Sequence, residues 1–399
     1  MTLPFLFITG IENSYPVLPG GERLDQLDRI GHYARWERDF ALVRQLGVRA
    51  LRYGPAYYRA HLAPDHIDWE VCDEPMQRLH DLGIEVIADL CHFGLPSWMH
   101  GVTDPAFPVH FAEYARAFAR RFPWVRYFTP VHAILTCATR SAMHGEWNDC
   151  RSGDADFVLA LRNLCMAHEL AVEAILAERP DAVIVQNEMV EHVHAAGKVA
   201  APAAERWNAI RFLALDLTLG REPASGMTRW LHEHGVTSND LSFFRERRGE
   251  GRRWLGLLYY PESEQRVTGT GRRTAARQRL GFGKLARHYY QRYQVPLVHS
   301  ATYHAGRYAA PWLRDQWESV LALRSSGVPV HGFGWHSLVD HHDPRTGAGS
   351  PDAPLPLGLC GIDRELHPVG VAYRELIGKW AGVMADATPE PRQAVRVGR

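Results

Sequence analysis

Eight short apolar runs, bounded by Gly, Pro or Asn and separated by amphipathic stretches of helical period, constrain this chain more than any other feature. They are Pro4 to Ile11, Ala50 to Tyr53, Glu85 to Cys91, Tyr127 to Val131, Ala182 to Asn187, Trp254 to Tyr259, Leu297 to Ser300 and Val330 to Trp335. A helix between two such runs carries the chain back to the end where it began, so the strands lie parallel. Eight is the number that closes a ring, and the pattern predicts an α/β fold, a single (β/α)8 TIM barrel.

The helices between them carry their own punctuation. Tyr33 to Leu46 places Trp36, Phe40, Val43 and Leu46 on one face and stops at Gly47. Glu74 to Leu82 stops at Gly83, and Leu313 to Arg324 ends shortly before Gly327, where a left-handed residue suits a helix end. Asp156 to Glu178 is a longer helix that ends before Pro180. The barrel is expected over residues 1–385, with insertions at about 188–242 and 261–282 and a flexible tail over 386–399. The first insertion should hold a helix from Ala203 to Leu219. The second is Arg-rich and Gly-rich, and reads either as a mobile loop over the barrel top or as a surface insert without a role.

Composition removes several classes of function. Forty-five basic and forty-five acidic residues cancel, with no long run of one sign, so neither nucleic acid nor an anionic membrane is an expected partner. No apolar run approaches the roughly 18 residues of a membrane span, and Leu3 to Ile11 is too short for a signal peptide, so a cytoplasmic location is expected. Cys72, Cys91, Cys137, Cys150, Cys165 and Cys360 show no Cys-x-x-Cys spacing and read as buried free thiols. Neither Gly20-Gly21 nor the pair Gly347 and Gly349 sits between a strand and a helix, so no nucleotide or other cofactor is expected. With no His-x-x-x-His on one helix, no metal site is assigned. The expected partner is a small molecule, and nothing in the sequence sets an oligomeric state.

Several strand ends carry a family resemblance. Thr129-Pro-Val-His132-Ala133 resembles the fourth-strand motif of family 1 glycoside hydrolases, which ends Asn-Glu-Pro and supplies the general acid/base. Aligned as Thr-Pro-Val-Asn-Glu-Pro, it puts Ala133 at the catalytic Glu; the commoner Thr-x-Asn-Glu-Pro spacing puts His132 there. The stretch from His32 through Leu46-Gly47-Val48 to Arg52 resembles the family's lead-in to its second-strand Arg. His92-Phe-Gly-Leu-Pro is similar to His-Trp-Asp-Leu-Pro, whose His contacts sugar, and Leu257-Leu-Tyr-Tyr260 to Asn-Tyr-Tyr.

Pro296-Leu-Val-His-Ser300-Ala301 resembles the strand that carries the nucleophile, with Ala301 at the Glu. Gly332-Phe-Gly-Trp335-His336-Ser-Leu-Val-Asp340 and Gly358-Leu-Cys-Gly-Ile-Asp363 resemble the eighth-strand signature and its sequel, with His336 at a family Trp. The likeness runs from about residue 30 to 376. It extends to the glycosidase-like domain fused to some sugar-nucleotide reductases, which shares Thr-Pro-Val and the Phe122 to Val125 lead-in.

The resemblance implies a β-glucosidase-like barrel, but retaining hydrolysis needs two carboxyl groups about 5 Å apart. Alanine provides neither. The remaining polar residues at strand ends nominate Glu188, His132 and His336 as catalytic, and Glu12, Arg52, His92, Asn187, Tyr260, Ser300, Trp335 and Asp340 as ligand-binding. Against a catalytic Glu188 stands its pairing with an Arg such as Arg52, and Asp340-His-His-Asp343 reads equally as a hydrogen-bonded rim.

Three functions follow. One is a glycosidase with Glu188 or Glu12 in place of a lost carboxylate. Another is a lyase, isomerase or cyclase of specialised metabolism that uses His/Glu acid–base chemistry. The third is a non-catalytic sugar-binding protein. The expected ligand is a glycoside or polyol; the second function predicts inertness to glycosides and turnover of another substrate.

Overall fold

In a computed structural model, which describes residues 4–249, 251–342 and 354–386, the eight runs form eight parallel strands. These are β1 (Leu6–Gly10), β2 (Ala50–Tyr53), β3 (Glu85–Cys91), β4 (Tyr127–Val131), β5 (Val183–Met189), β6 (Arg252–Leu258), β7 (Leu297–Ala301) and β8 (Val330–His336). Each pairs with the next, and β1 closes the ring by pairing with both β2 and β8. The fold is the expected (β/α)8 barrel. No helix among the described residues is long and apolar enough to cross a membrane.

Leu6, Ile8, Ala50, Ile87, Tyr127, Val183, Val185, Trp254 and Val298 form a core of their own inside the ring, distinct from the core between strands and helices. Side chains alternate along a strand, so the next inward position above each of these is fixed by parity. Those positions are Gly10 above Ile8, Arg52 above Ala50, Asp89 above Ile87 and Asn187 above Val185. The interior thus turns from apolar to polar in one step toward the C-terminal ends. Register aligns the upper layer, with Gly10 opposite both Arg52 and His336.

The helices Trp36–Gln45, Glu70–Asp81 and Ala309–Ser325 end as read, with Gly47, Gly83 and Gly327 at φ +74°, +64° and +82°. Two readings change. The helix expected over Ala203 to Leu219 is two, Ala201–Ile210 and Leu213–Thr218, and Arg211 at the break turns its side chain to the Glu191 carbonyl. The insertion at 261–282 is not a bare loop. Glu264–Val267 and Arg273–Ala275 join His192–Ala195 in a three-stranded sheet.

Buried Glu264 pins that insertion. Its carboxylate accepts from Tyr259 Oη and Leu280 and Gly281 N–H and meets His194 Nε2, all within 2.8 Å. The helices Phe107–Arg121, Asp154–Glu178, Phe282–Tyr293 and Pro368–Asp386 also belong to the outer layer, the second of them where the sequence placed Asp156 to Glu178. Five of the six cysteines are buried as expected, and Cys150 is exposed. The expected tail lies, after Asp386, outside the described residues, as do Asp343, Gly347 and Gly349.

Candidate functional site

A cavity of about 620 Å³ opens at the C-terminal ends of the strands. Its floor is lined by Glu12, Arg52, His92, His132 and His336. Tyr260 forms part of the wall, stacked on Tyr303 with ring centroids 4.3 Å apart. All are buried or nearly so, so each charge and lone pair at the floor is set by neighbours rather than by water.

Glu12, just past β1, reaches His336 on β8: Oε2 to Nε2 is 2.8 Å. Arg52 Nη2 lies 3.0 Å from Nδ1 and 3.1 Å from Nε2 of the same ring. A guanidinium can only donate, and a carboxylate can only accept. Nε2 therefore carries a proton toward Glu12, and the Arg52 guanidinium lies against the ring close to both nitrogens, a cation contact that favours the neutral imidazole.

The electrostatics agree: burial, reinforced by Arg52, lowers the His336 pKa to about 3. Burial alone would raise the Glu12 pKa, yet His92 and His336 hold it well below the usual carboxylate range. The ring also fixes a glycine. A Cβ on Gly10 would stand 2.7 Å from His336 Nδ1.

A second carboxylate–imidazole pair faces it. Asp89, pointing inward from β3, places Oδ2 3.1 Å from Nδ1 of His132, 3.1 Å from Nδ1 of His92 and 3.5 Å from Arg52 Nε. Burial would raise the Asp89 pKa, but His132 and His92 bring it far below the ordinary value. For His132 burial dominates, helped by His92, and lowers its pKa to about 3. The rings of His92 and His132 stack with centroids 4.0 Å apart. The residues after them, Phe93 and Ala133, take left-handed φ values of 71° and 42° and turn the chain across the floor.

Asp89, His92 and His132 bring three ligand-type atoms within 4.8 Å of one another. His92 Nδ1 lies 2.8 Å from Asn13 Oδ1, an acceptor, so that nitrogen holds a proton. The in-plane lone pairs of two rings stacked at 25° also do not meet at one point. The geometry is that of two imidazoles held at ion-pair distance from one carboxylate, whose oxygens and His132 Nδ1 make no aligned hydrogen bond among the described residues, with each Nε2 on the side of the ring away from Asp89.

The predicted site residues divide into two groups. Glu12, Arg52, His92, His132, Tyr260 and His336 line the cavity, as does Ala133. Glu188, Asn187, Ser300, Trp335 and Asp340 do not. Glu188 follows inward-facing Asn187 and so points outward, where its carboxylate accepts from Ile134 and Leu135 N–H at 3.0 and 3.4 Å. It pairs with neither Arg52 nor the two histidines, and burial raises its pKa to about 8.

Asn187 donates to Thr129 Oγ1, and Trp335 donates to the Leu357 carbonyl. Asp340 accepts from Gly358 N–H and pairs with His367. Ser300 is buried within β7, and Ala301 closes that strand. Trp147 and Trp207 line the cavity, whereas Trp98 donates to the His61 carbonyl.

Sequence reasoning missed Asp89, the charge on which the second pair depends, although it is the one carboxylate inside the apolar run Val86 to Cys91. It also missed Glu191, a cavity carboxyl whose pKa burial raises against the pull of Arg273, Arg140 and Arg211. Nothing in the polar sequence around Glu191 marked it.

Fold and cavity together define a closed (β/α)8 barrel with a pocket at the C-terminal ends of its strands. No protein-family model matches the chain. Among solved structures it is similar to the family 1 β-glucosidase from Thermotoga maritima in complex with isofagomine lactam, at TM-score 0.80 and 16% identity over 94% of this chain and 98% of that one. The same enzyme's complex with glucoimidazole gives 0.79 and 16% over 94% and 99%, and that with castanospermine 0.79 and 15% over 94% and 98%. At such identities what is shared is the fold.

Proposed function

We propose that this barrel binds a polyhydroxylated small molecule, a sugar or glycoside, and moves protons on it with two imidazoles instead of cleaving it through a carboxyl pair. One observation carries the reading: Glu12–His336 and Asp89–His132 are two carboxylate–imidazole pairs at one cavity floor, with Arg52 between them. A neutral imidazole can accept a proton, and the carboxylate beside it stabilises the cation formed; burial, which lowers both pKa values to about 3, makes each a weak base until a bound ligand offsets that cost. Arg52 Nη1 has no hydrogen-bond partner among the described residues and suits oxygen charge that develops when a proton leaves an adjacent carbon. This is the equipment of an isomerase, lyase or cyclase.

Retaining hydrolysis fits less well, because its acid must hold a proton near neutral pH and both floor carboxyls are held ionised. By the motif resemblance, Ala133 or His132 stands at one catalytic position and Ala301 at the other, and none of them brings a carboxyl. The Thermotoga complexes with glucoimidazole and castanospermine support a small-molecule ligand. The hydrolytic reading keeps one supporting observation, the raised pKa of Glu191, which would suit a relocated acid.

Incubation of the protein in D2O with aldoses, ketoses and uronates, followed by NMR, tests the proposal. Carbon-bound deuterium should appear with one of them and vanish in His132→Ala and His336→Ala. Aglycone release from β-glycosides that survives both substitutions and stops in Glu191→Gln would instead establish a hydrolase. Binding with neither exchange nor release would leave a sugar-binding protein.

A further inference from the structure

The upper wall of the cavity carries a different charge pattern from the floor. Arg140, on the turn Thr139–Met143, Arg211, at the break after Ala201–Ile210, and Arg273, on Arg273–Ala275, all line it. Arg140 is ion-paired with Glu146. Among the described residues no carboxylate lies within 4.0 Å of Arg211 or Arg273.

Arg211 is buried. Its Nη1 donates to the Glu191 carbonyl at 2.6 Å and meets His192 Nδ1 at 3.0 Å, while its buried Nε has no partner. Arg273 lies over the Trp207 ring at 4.2 Å, and Trp207 also lines the cavity. Burying a guanidinium without a counter-charge is costly. Buried Arg211 and half-buried Arg273, from separate elements but turned into one cavity wall, are best satisfied by charge that arrives with the ligand.

We propose that Arg211 and Arg273, with Trp207 as a platform, receive a carboxylate or phosphate carried by the bound molecule, so that its substrate class is an anionic glycoside or sugar derivative. This rests on the reading that the floor takes the polyhydroxylated part. Planar guanidiniums match both oxyanions by paired hydrogen bonds. Glu191 does not cancel the arrangement, because it is one carboxyl on a wall with two guanidiniums, Arg211 and Arg273, so positive charge remains in excess there.

Isothermal titration with phenyl β-glucoside, its 4-carboxy and its 4-phosphonooxy derivatives, and with benzoate and phenyl phosphate lacking the sugar, tests this. At least one anionic derivative should bind about tenfold or more tighter than the neutral glycoside, as expected for one charge-assisted contact. That ratio should fall toward one in Arg273→Gln and Arg211→Lys, checked for folding by circular dichroism. The two derivatives tell carboxylate from phosphate.

Simple anions that bind in an Arg273-dependent way while no glycoside binds would keep the anion site and remove the polyhydroxyl reading. Equal binding of charged and neutral glycosides overturns the proposal, as does anion binding indifferent to both substitutions, or no binding of any anionic probe.

Discussion

Glu12 and Glu188 are both buried glutamates at the C-terminal ends of barrel strands, yet they live in opposite surroundings. Glu12 faces a cavity, touches His336 and lies near His92, and is held ionised. Glu188 faces the helical layer, meets only the N–H groups of Ile134 and Leu135, and is driven toward protonation. Burial is common to both; what differs is strand parity and the charge of the partners. A buried carboxyl becomes part of a site when its strand turns it to open space and imidazole N–H groups hold its charge there. Otherwise it serves as a hydrogen-bonded cap.

The largest expected effect breaks that pair directly. Glu12→Gln should lower turnover or ligand affinity about 100-fold, the scale of a lost general-base assembly, while Glu188→Gln should change either by less than about twofold. Steady-state kinetics or calorimetry on both variants decides it. A Glu188→Gln protein as impaired as the Glu12 variant would erase the distinction.

Gly10→Ala comes next. The added Cβ stands 2.7 Å from His336 Nδ1, so the ring must shift, and a misplacement of about 1 Å at a reacting group costs roughly tenfold or more. A loss in kcat with the fold intact by circular dichroism is the expected result.

Stability against pH sharpens the contrast with smaller shifts. His132 and His336 have pKa values of about 3 in the folded protein, against the ordinary 6.5. Unfolding therefore takes up protons between those values, and stability should fall as pH drops below 6.5. Glu188 acts with the opposite sign. Its pKa is raised from 4.5 to about 8, so its contribution is present below 4.5 and is lost as pH rises through 8. Glu188→Gln should thus gain stability relative to the parent between pH 6 and 8, by on the order of 1 kcal/mol per pH unit, read from urea midpoints.

The fold was almost fully legible because strand and helix periods alternate without exception around the ring. The expected bounds of β2, β3 and β4 coincide with the observed ones. The site was legible only in part, for a reason parallel barrels impose. Their strands are buried on both faces, so Ala182 to Ile184 gives no apolar–polar alternation from which to assign Asn187 inward and Glu188 outward. Asp89 did carry a signal, a charge in an apolar strand. The anchoring of the second insertion did not, because Glu264 draws its partners from Tyr259, His194 and a turn at Leu280, which only the folded chain brings together.

The account turns on two neutral, oriented imidazoles in the cavity floor, and nitrogen-15 NMR of the histidine side chains across pH 5–8 measures that state directly. His132 and His336 should stay neutral throughout, with the His336 proton fixed on Nε2, while exposed histidines titrate. Imidazolium signals from either residue, with a midpoint near 6.5, would contradict the paired-base floor and the function built on it.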